Sequence, residues 1–382
     1  MKFPGFGIEW KELRRFEKLP FEDKTIVFYA ENASSFNHFR LLIEKLTDEM
    51  NISICYITSF KDDKIFQKEN QKIKAFYVGD GSARTKFFLT LKTRILVMDM
   101  PDLEKYHIKR SKLYPVHYIY LFHSMFSTHS YLRKNALDSF DTIFCVGPHH
   151  VKEIRKTEEV YELKEKILVD YGFGRLDFLL EEAKQHNFEN NNEKLVIIAP
   201  SYGEKNLLET CGIELIDVLL NASFKVILRP HYRIIRDSEE LIKSIKNRFK
   251  ENSNFLLEEG VLKPEDFHSS KCMITDWSGI GMEYAFIRRN KVIFIDVPKK
   301  EMNEESWKID LEPIEVSIRK KIGHVVSINE LERIPELINK NDPKLEEMKE
   351  IQEKVVFNIG NSASIGADYI KKINVEKKIE DI

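Results

Sequence analysis

The chain has 382 residues, 42% hydrophobic and 32% charged, a balance that fits a packed globular protein and excludes disordered, collagen-like and mucin-like chains. Its 60 basic and 62 acidic residues leave a formal net charge of −2, so no global basic field exists to hold nucleic acid and any anion site must be local. At about 150 residues per domain, the length predicts two domains with some extra structure.

In chain order, the first expected element is an N-terminal helix. Trp10, Leu13, Phe16 and Leu19 recur at near-helical spacing among Lys11, Arg14, Arg15 and Lys18, which predicts packing on the helix's own domain. The same residues would also suit a peripheral contact at the inner face of the cell membrane. Strands are expected at Thr25–Ala30, Ile52–Ile57, Lys74–Val78, Ile95–Met98, His117–Leu121, Thr142–Val146 and Ile167–Val169, short runs rich in β-branched and aromatic residues separated by helical stretches. The polar stretch Glu182–Glu193 has no apolar period and reads as a linker, which gives residues 1–185 as a first α/β domain.

The alternation restarts with strands at Leu195–Ala199, Lys225–Leu228, Asn254–Leu257, Cys272–Thr275 and Val292–Ile295, and helices at Leu207–Leu220 and Ser238–Phe249. Residues 194–340 are thus expected to form a second α/β domain. Residues 341–382 read as a charged helical segment broken near Asn341–Pro343 and Asn358–Asn361. Two doubly wound parallel sheets would place ligands at the carboxyl ends of their strands, facing a central cleft.

The most informative segment runs from Cys272 to Ala285: a buried strand, the turn Asp276-Trp277-Ser278-Gly279, and a helix starting near Gly279. Free backbone N–H groups and the positive dipole end at such a start suit a phosphate, and Ser278 can cap the helix or donate to an oxygen. Taken alone, an ordinary N-cap explains this segment equally well. Glu283, one turn further on, can accept from a ribose diol, although by itself it reads more simply as a solvated acid.

A second cluster, Arg229-Pro230-His231-Tyr232-Arg233, ends the strand Lys225–Leu228. Arg229, Arg233 and Arg236 offer forked donors matched to phosphate oxygens, and His231 can donate a proton or a hydrogen bond to the same group. Four such donors within eight residues favour an anion site over the usual fate of loop arginines. The third cluster follows His117–Leu121, where His123, with His129 as a rival, can act as general base toward an acceptor hydroxyl because imidazole titrates near working pH. Two lesser segments are Gly172-Phe173-Gly174-Arg175-Leu176-Asp177, with an arginine able to touch phosphate, and Ala199-Pro200-Ser201-Tyr202, which ends the first strand of the second domain beside the expected nucleotide.

The chain lacks G-x-x-x-x-G-K-S/T, a G-x-G-x-x-G after a strand, H-E-x-x-H and G-x-S-x-G, which removes support for P-loop, dinucleotide-dependent, zincin and α/β-hydrolase chemistry. Asp99 and Asp102 follow a strand without a convergent third ligand, so no metal site and no resident cofactor are expected. Cys55, Cys145, Cys211 and Cys272 are widely separated and form no C-x-x-C, the pattern of buried thiols in a reducing compartment. With no apolar signal core and no run near the roughly 18 apolar residues of a membrane span, the expectation is a cytoplasmic protein.

These segments together resemble the CDP-glycerol glycerophosphotransferases of teichoic acid and capsule synthesis, a family with the GT-B fold. The resemblance runs in order through His123, Gly172 to Asp177, Ala199 to Tyr202, Arg229-Pro230-His231 and Thr275 to Gly279 followed by Glu283-Tyr284-Ala285. It implies a CDP-alcohol held by the second domain, with Arg229, His231, Ser278 and Gly279 at its diphosphate and Glu283 at its ribose. Arg175, Ser201, Arg233 and Asp276 complete the candidate donor site. His123 would activate a hydroxyl of a glycan or lipid-linked acceptor, and CMP would be released. The chain departs from the family pattern at Ser124, Gly174, Trp277 and Gly279, which leaves the transferred alcohol open between glycerol, ribitol and others. A GT-B glycosyltransferase or epimerase using a UDP-sugar is the alternative of the same fold, and a non-catalytic subunit of a capsule assembly the alternative of another class.

Overall fold

Strands of a parallel sheet are covered by helices on both faces, so their sequences run apolar without alternation. A computed structural model, describing residues 7–185, 192–259, 264–299, 301–340 and 344–380, contains two sheets of this kind. The first comprises β1 (Ile26–Ala30), β2 (Ile54–Thr58), β3 (Ile73–Tyr77), β4 (Ile95–Met98), β5 (His117–Leu121), β6 (Thr142–Cys145) and β7 (Ile167–Asp170). Their order is β3-β2-β1-β4-β5-β6-β7, with every pairing parallel. The second comprises β8 (Asn192–Ile198), β9 (Lys225–Leu228), β10 (Phe255–Leu257), β11 (Ser270–Thr275), β12 (Lys291–Ile295) and β13 (His324–Val326). Here the order is β10-β9-β8-β11-β12-β13, again all parallel. The two doubly wound α/β sheets are those expected; β13, a three-residue edge strand, is an addition.

The chain divides into two compact units, but not at the expected boundaries. The first unit ends at Phe178, inside the helix Gly174–Gln185, and also contains Asn303–Asp310 and the chain from Val355 onward. Of the expected linker, residues 182–185 belong to that helix, Asn192 and Glu193 open β8, and 186–191 lie outside the described residues. The expected break near Asn341–Pro343 also lies outside them.

The segment after Val355 joins the first unit because it completes that unit's core. Ala367 and Ile370 of the helix Ser362–Glu380 are buried with Phe39, Leu42 and Phe144. Asp177 fixes the start of the helix, accepting from Gly360 N at 2.7 Å and from the backbone N–H and hydroxyl of Ser362. Gly172 has φ +104°, and a Cβ there would stand 2.4 Å from the carbonyl oxygen of Phe357, so only glycine fits this crossing. Most of the Gly172–Asp177 segment is thus spent on architecture.

The helix Ile8–Glu17 packs on its own unit through Phe16, which meets the rings of Phe76 and Phe87 at 5.6 Å each. One of its flanking cations is engaged there as well: the Arg15 guanidinium lies 4.5 Å above Phe76. Among the described residues no helix is long and apolar enough to cross a membrane.

Candidate functional site

In each sheet the strand order reverses at one point, between β1 and β4 in the first and between β8 and β11 in the second. Loops leaving the carboxyl ends of such a pair diverge and leave room for a ligand. The candidate residues gather at these two places, one within each unit.

In the first unit, Asp99 directly follows β4, His123 lies two residues beyond β5, and His38 is the fourth residue of the helix Ser35–Glu44 that follows β1. His123 Nδ1 is 3.0 Å from the carbonyl oxygen of Asp99. A carbonyl only accepts, so Nδ1 carries the proton and Nε2 keeps its lone pair. Burial lowers the proton affinity of His123, partly offset by that carbonyl, so the ring is neutral at neutral pH. The Asp99 carboxyl is itself pushed up to about 7, because burial outweighs the opposing influence of nearby Ser35 and of its own backbone.

The loop that carries His123 is tied down from the helix Pro148–Val160. His149 Nε2 donates to Met125 O at 2.9 Å and His150 Nε2 to Phe126 O at 2.7 Å. His129, the rival base, is buried with its Nδ1 3.6 Å from Glu153, whose carboxylate also accepts from Thr128 N and Oγ1. Asn303 holds the His129 carbonyl at 3.0 Å. His129 therefore braces the loop, while His123 presents an open imidazole nitrogen. Arg175, grouped with the donor contacts in the sequence, lies in the first unit, where its charge acts on His38.

In the second unit, Ser201 and Tyr202 follow β8, Arg229 and His231 follow β9, and Asp276 to Gly279 follow β11, so three adjacent strands deliver their loops side by side. Asp276 is buried and both its oxygens are occupied: Oδ1 accepts from Ser201 N at 2.7 Å and Oδ2 from Leu207 N at 3.0 Å. It ties the β8 loop to the β11 loop. Ser278 does not cap the helix Ile280–Arg288, and no side chain does, so its first turn keeps a positive end with Gly279 at the N-cap. Glu283 is buried in that turn, not solvated as its sequence alone suggested.

His231 caps the helix Tyr232–Asp237, its Nδ1 accepting from Arg233 N at 3.2 Å. That fixes the proton of the neutral ring on Nε2, as a donor. The imidazole sits between Tyr202 and Tyr232, with ring centroids at 4.6 and 4.5 Å, and the Arg233 guanidinium lies 4.5 Å above Tyr202. Arg236 is withdrawn from the cluster by a two-point pairing with Asp237 at 2.6 and 2.8 Å. Arg319 donates to Asp296 at 3.2 Å and to the Ile295 carbonyl, and lies 4.0 Å above the face of Trp277.

His38 and the raised proton affinity of the Asp99 carboxyl escaped sequence reasoning. The only signal for His38 was a strand end running into small polar residues, Asn32 to Ser35.

Two solved structures show the same two-sheet GT-B-like fold. The wall teichoic acid polymerase TagF aligns at 17% identity and a TM-score of 0.59, over 97% of this chain and 94% of that chain. The UDP-GlcNAc 2-epimerase of Methanocaldococcus jannaschii, in complex with UDP-GlcNAc and UDP, aligns at 13% identity and a TM-score of 0.56, over 92% and 99%. No curated protein matches the chain. The fold is thus shared between transferases and epimerases and does not choose between them. The sequence does: residues 12–299, which contain His123 and every candidate donor contact, match the family model of CDP-glycerol:poly(glycerophosphate) glycerophosphotransferase. The chain therefore belongs to that family of transferase enzymes.

Proposed function

We propose that the protein transfers a polyol phosphate from a CDP-alcohol to a hydroxyl of a glycan or lipid-linked acceptor in cell-surface polymer synthesis. The observation that carries the reading is the Asp99 carbonyl holding Nδ1 of a neutral His123, which leaves Nε2 as a base. The acceptor hydroxyl gives its proton to Nε2 as its oxygen bonds to the phosphorus that bears the polyol. The bond from that phosphorus to the CMP oxygen breaks, and CMP leaves with the electron pair. Arg229, Arg233, the His231 Nε2–H and the start of the helix Ile280–Arg288 neutralise the charge on the leaving phosphate, so positioning and electrostatics supply most of the catalysis. No step is routed through a resident metal or cofactor. The working place proposed is the cytoplasm, at the membrane face where a lipid-linked acceptor is presented.

A thermal-shift comparison of CDP-glycerol, CDP-ribitol, CMP, UDP and UDP-N-acetylglucosamine tests the donor class. Selective stabilisation by cytidine nucleotides is expected, about 2.7 kcal/mol at a concentration 100 times Kd. Selective stabilisation by uridine nucleotides would transfer the reading to a UDP-sugar enzyme, and no response to any of them would favour a binding subunit.

A further inference from the structure

His38 is only 7% exposed, and its Nδ1 is buried without a hydrogen-bond partner. Buried polar nitrogens are nearly always paired, so an orphan of this kind marks a bond that a group from outside the chain can complete. The ring meets His123 edge-to-face at 6.1 Å and stacks on Phe173 at 6.3 Å. The start of the helix Gly174–Gln185 lies against the His38 backbone, since a Cβ on Gly174 would stand 3.5 Å from the His38 carbonyl oxygen. Arg175, the next residue, is near enough for its charge to reinforce burial in driving the His38 proton affinity well down. A permanent guanidinium thus lies near the neutral imidazole of His38, and that imidazole packs against His123.

We propose that His38 and Arg175 form a subsite for a phosphate group of the acceptor, beside the hydroxyl that His123 deprotonates. The proposal rests on the reaction given above and assigns the phosphate to the acceptor because both residues belong to the unit that holds the base. A neutral ring with its proton on Nδ1 donates one hydrogen bond to a phosphate oxygen, and the guanidinium supplies charge and further donors. The partner is a phosphomonoester or phosphodiester adjoining the attacking alcohol.

The test is calorimetric titration of the intact chain with glycerol 3-phosphate, with glycerol and inorganic phosphate as comparisons and no donor present. His38→Leu and Arg175→Gln are each expected to weaken glycerol 3-phosphate binding about 10- to 100-fold, the scale of a hydrogen bond to a charged group. His38→Asn, whose amide nitrogen replaces Nδ1, is expected to restore part of it, a rescue that a merely structural role would not give. In turnover, the KM for acceptor rises while that for donor is unchanged. No binding of glycerol 3-phosphate to the wild type, or equal binding by wild type and both variants, would overturn the proposal. So would a loss confined to CDP-glycerol affinity, which would return Arg175 to the donor. If His38→Leu does not fold, Arg175→Gln carries the test alone. Because the titration contains no nucleotide, its failure is distinguishable from failure of the donor assignment.

Discussion

Replacing His123 by alanine is expected to lower kcat by about 10²- to 10⁴-fold, the usual contribution of a positioned general base, while CDP-glycerol binding is retained. The donor contacts proposed above lie on the second unit, and the imidazole belongs to the first. The pH profile follows from the sign of the shift. The active form is the neutral ring, and burial lowers its proton affinity in the free enzyme, so the acid limb of kcat/KM lies below the ordinary 6.5 rather than at it. Steady-state kinetics across that range test both statements. A His123→Ala enzyme with unchanged kcat, or an acid limb above 6.5, would contradict them.

Asp276→Ala is expected to produce the largest structural loss in the second unit. The substitution leaves the buried N–H groups of Ser201 and Leu207 without their acceptor, at about 1–3 kcal/mol each. It also releases the β8 loop that carries Ser201 and Tyr202, so CDP-glycerol affinity falls together with stability. Asp276→Asn is not conservative, because its amide nitrogen must face one of two N–H donors. Trp277 is the only tryptophan of the second unit, so urea unfolding followed by fluorescence in a Trp10→Phe, Trp307→Phe background reports this unit alone. An unchanged midpoint with unchanged donor affinity would show that Asp276 has no positioning role.

The parts of the fold legible in the sequence are those set locally. The runs Ile26–Ala30 and Val292–Ile295 are apolar on both faces and are fully buried in strands, as such runs should be. β13 was missed because His324–Val326 is three residues long, lies at a sheet edge and holds only two apolar residues. The placement of Ser362–Glu380 was missed for a different reason. Its apolar residues predict a helix, but which core they enter depends on Asp177 and Gly172, far earlier in the chain.

The same distinction governs the site. Arg229, His231 and Gly279 follow strands, and the adjacency of β9, β8 and β11 gathers their loops. Asp276 reads as a ligand-facing acid beside serine and glycine, yet its partners Ser201 and Leu207 lie about seventy residues away, beyond the reach of local reasoning. Arg319 was equally opaque, because its partners Asp296 and Trp277 come from two other strand ends.

The claim that the protein moves a polyol phosphate is tested most directly by ³¹P NMR of a reaction containing CDP-glycerol, acceptor and enzyme. The proposed attack on phosphorus predicts one new phosphodiester signal for each CMP released, with no CDP. Release of CDP would mean cleavage at the glycerol carbon, and turnover of UDP-N-acetylglucosamine with CDP-glycerol left intact would mean sugar chemistry. Either result would contradict the account.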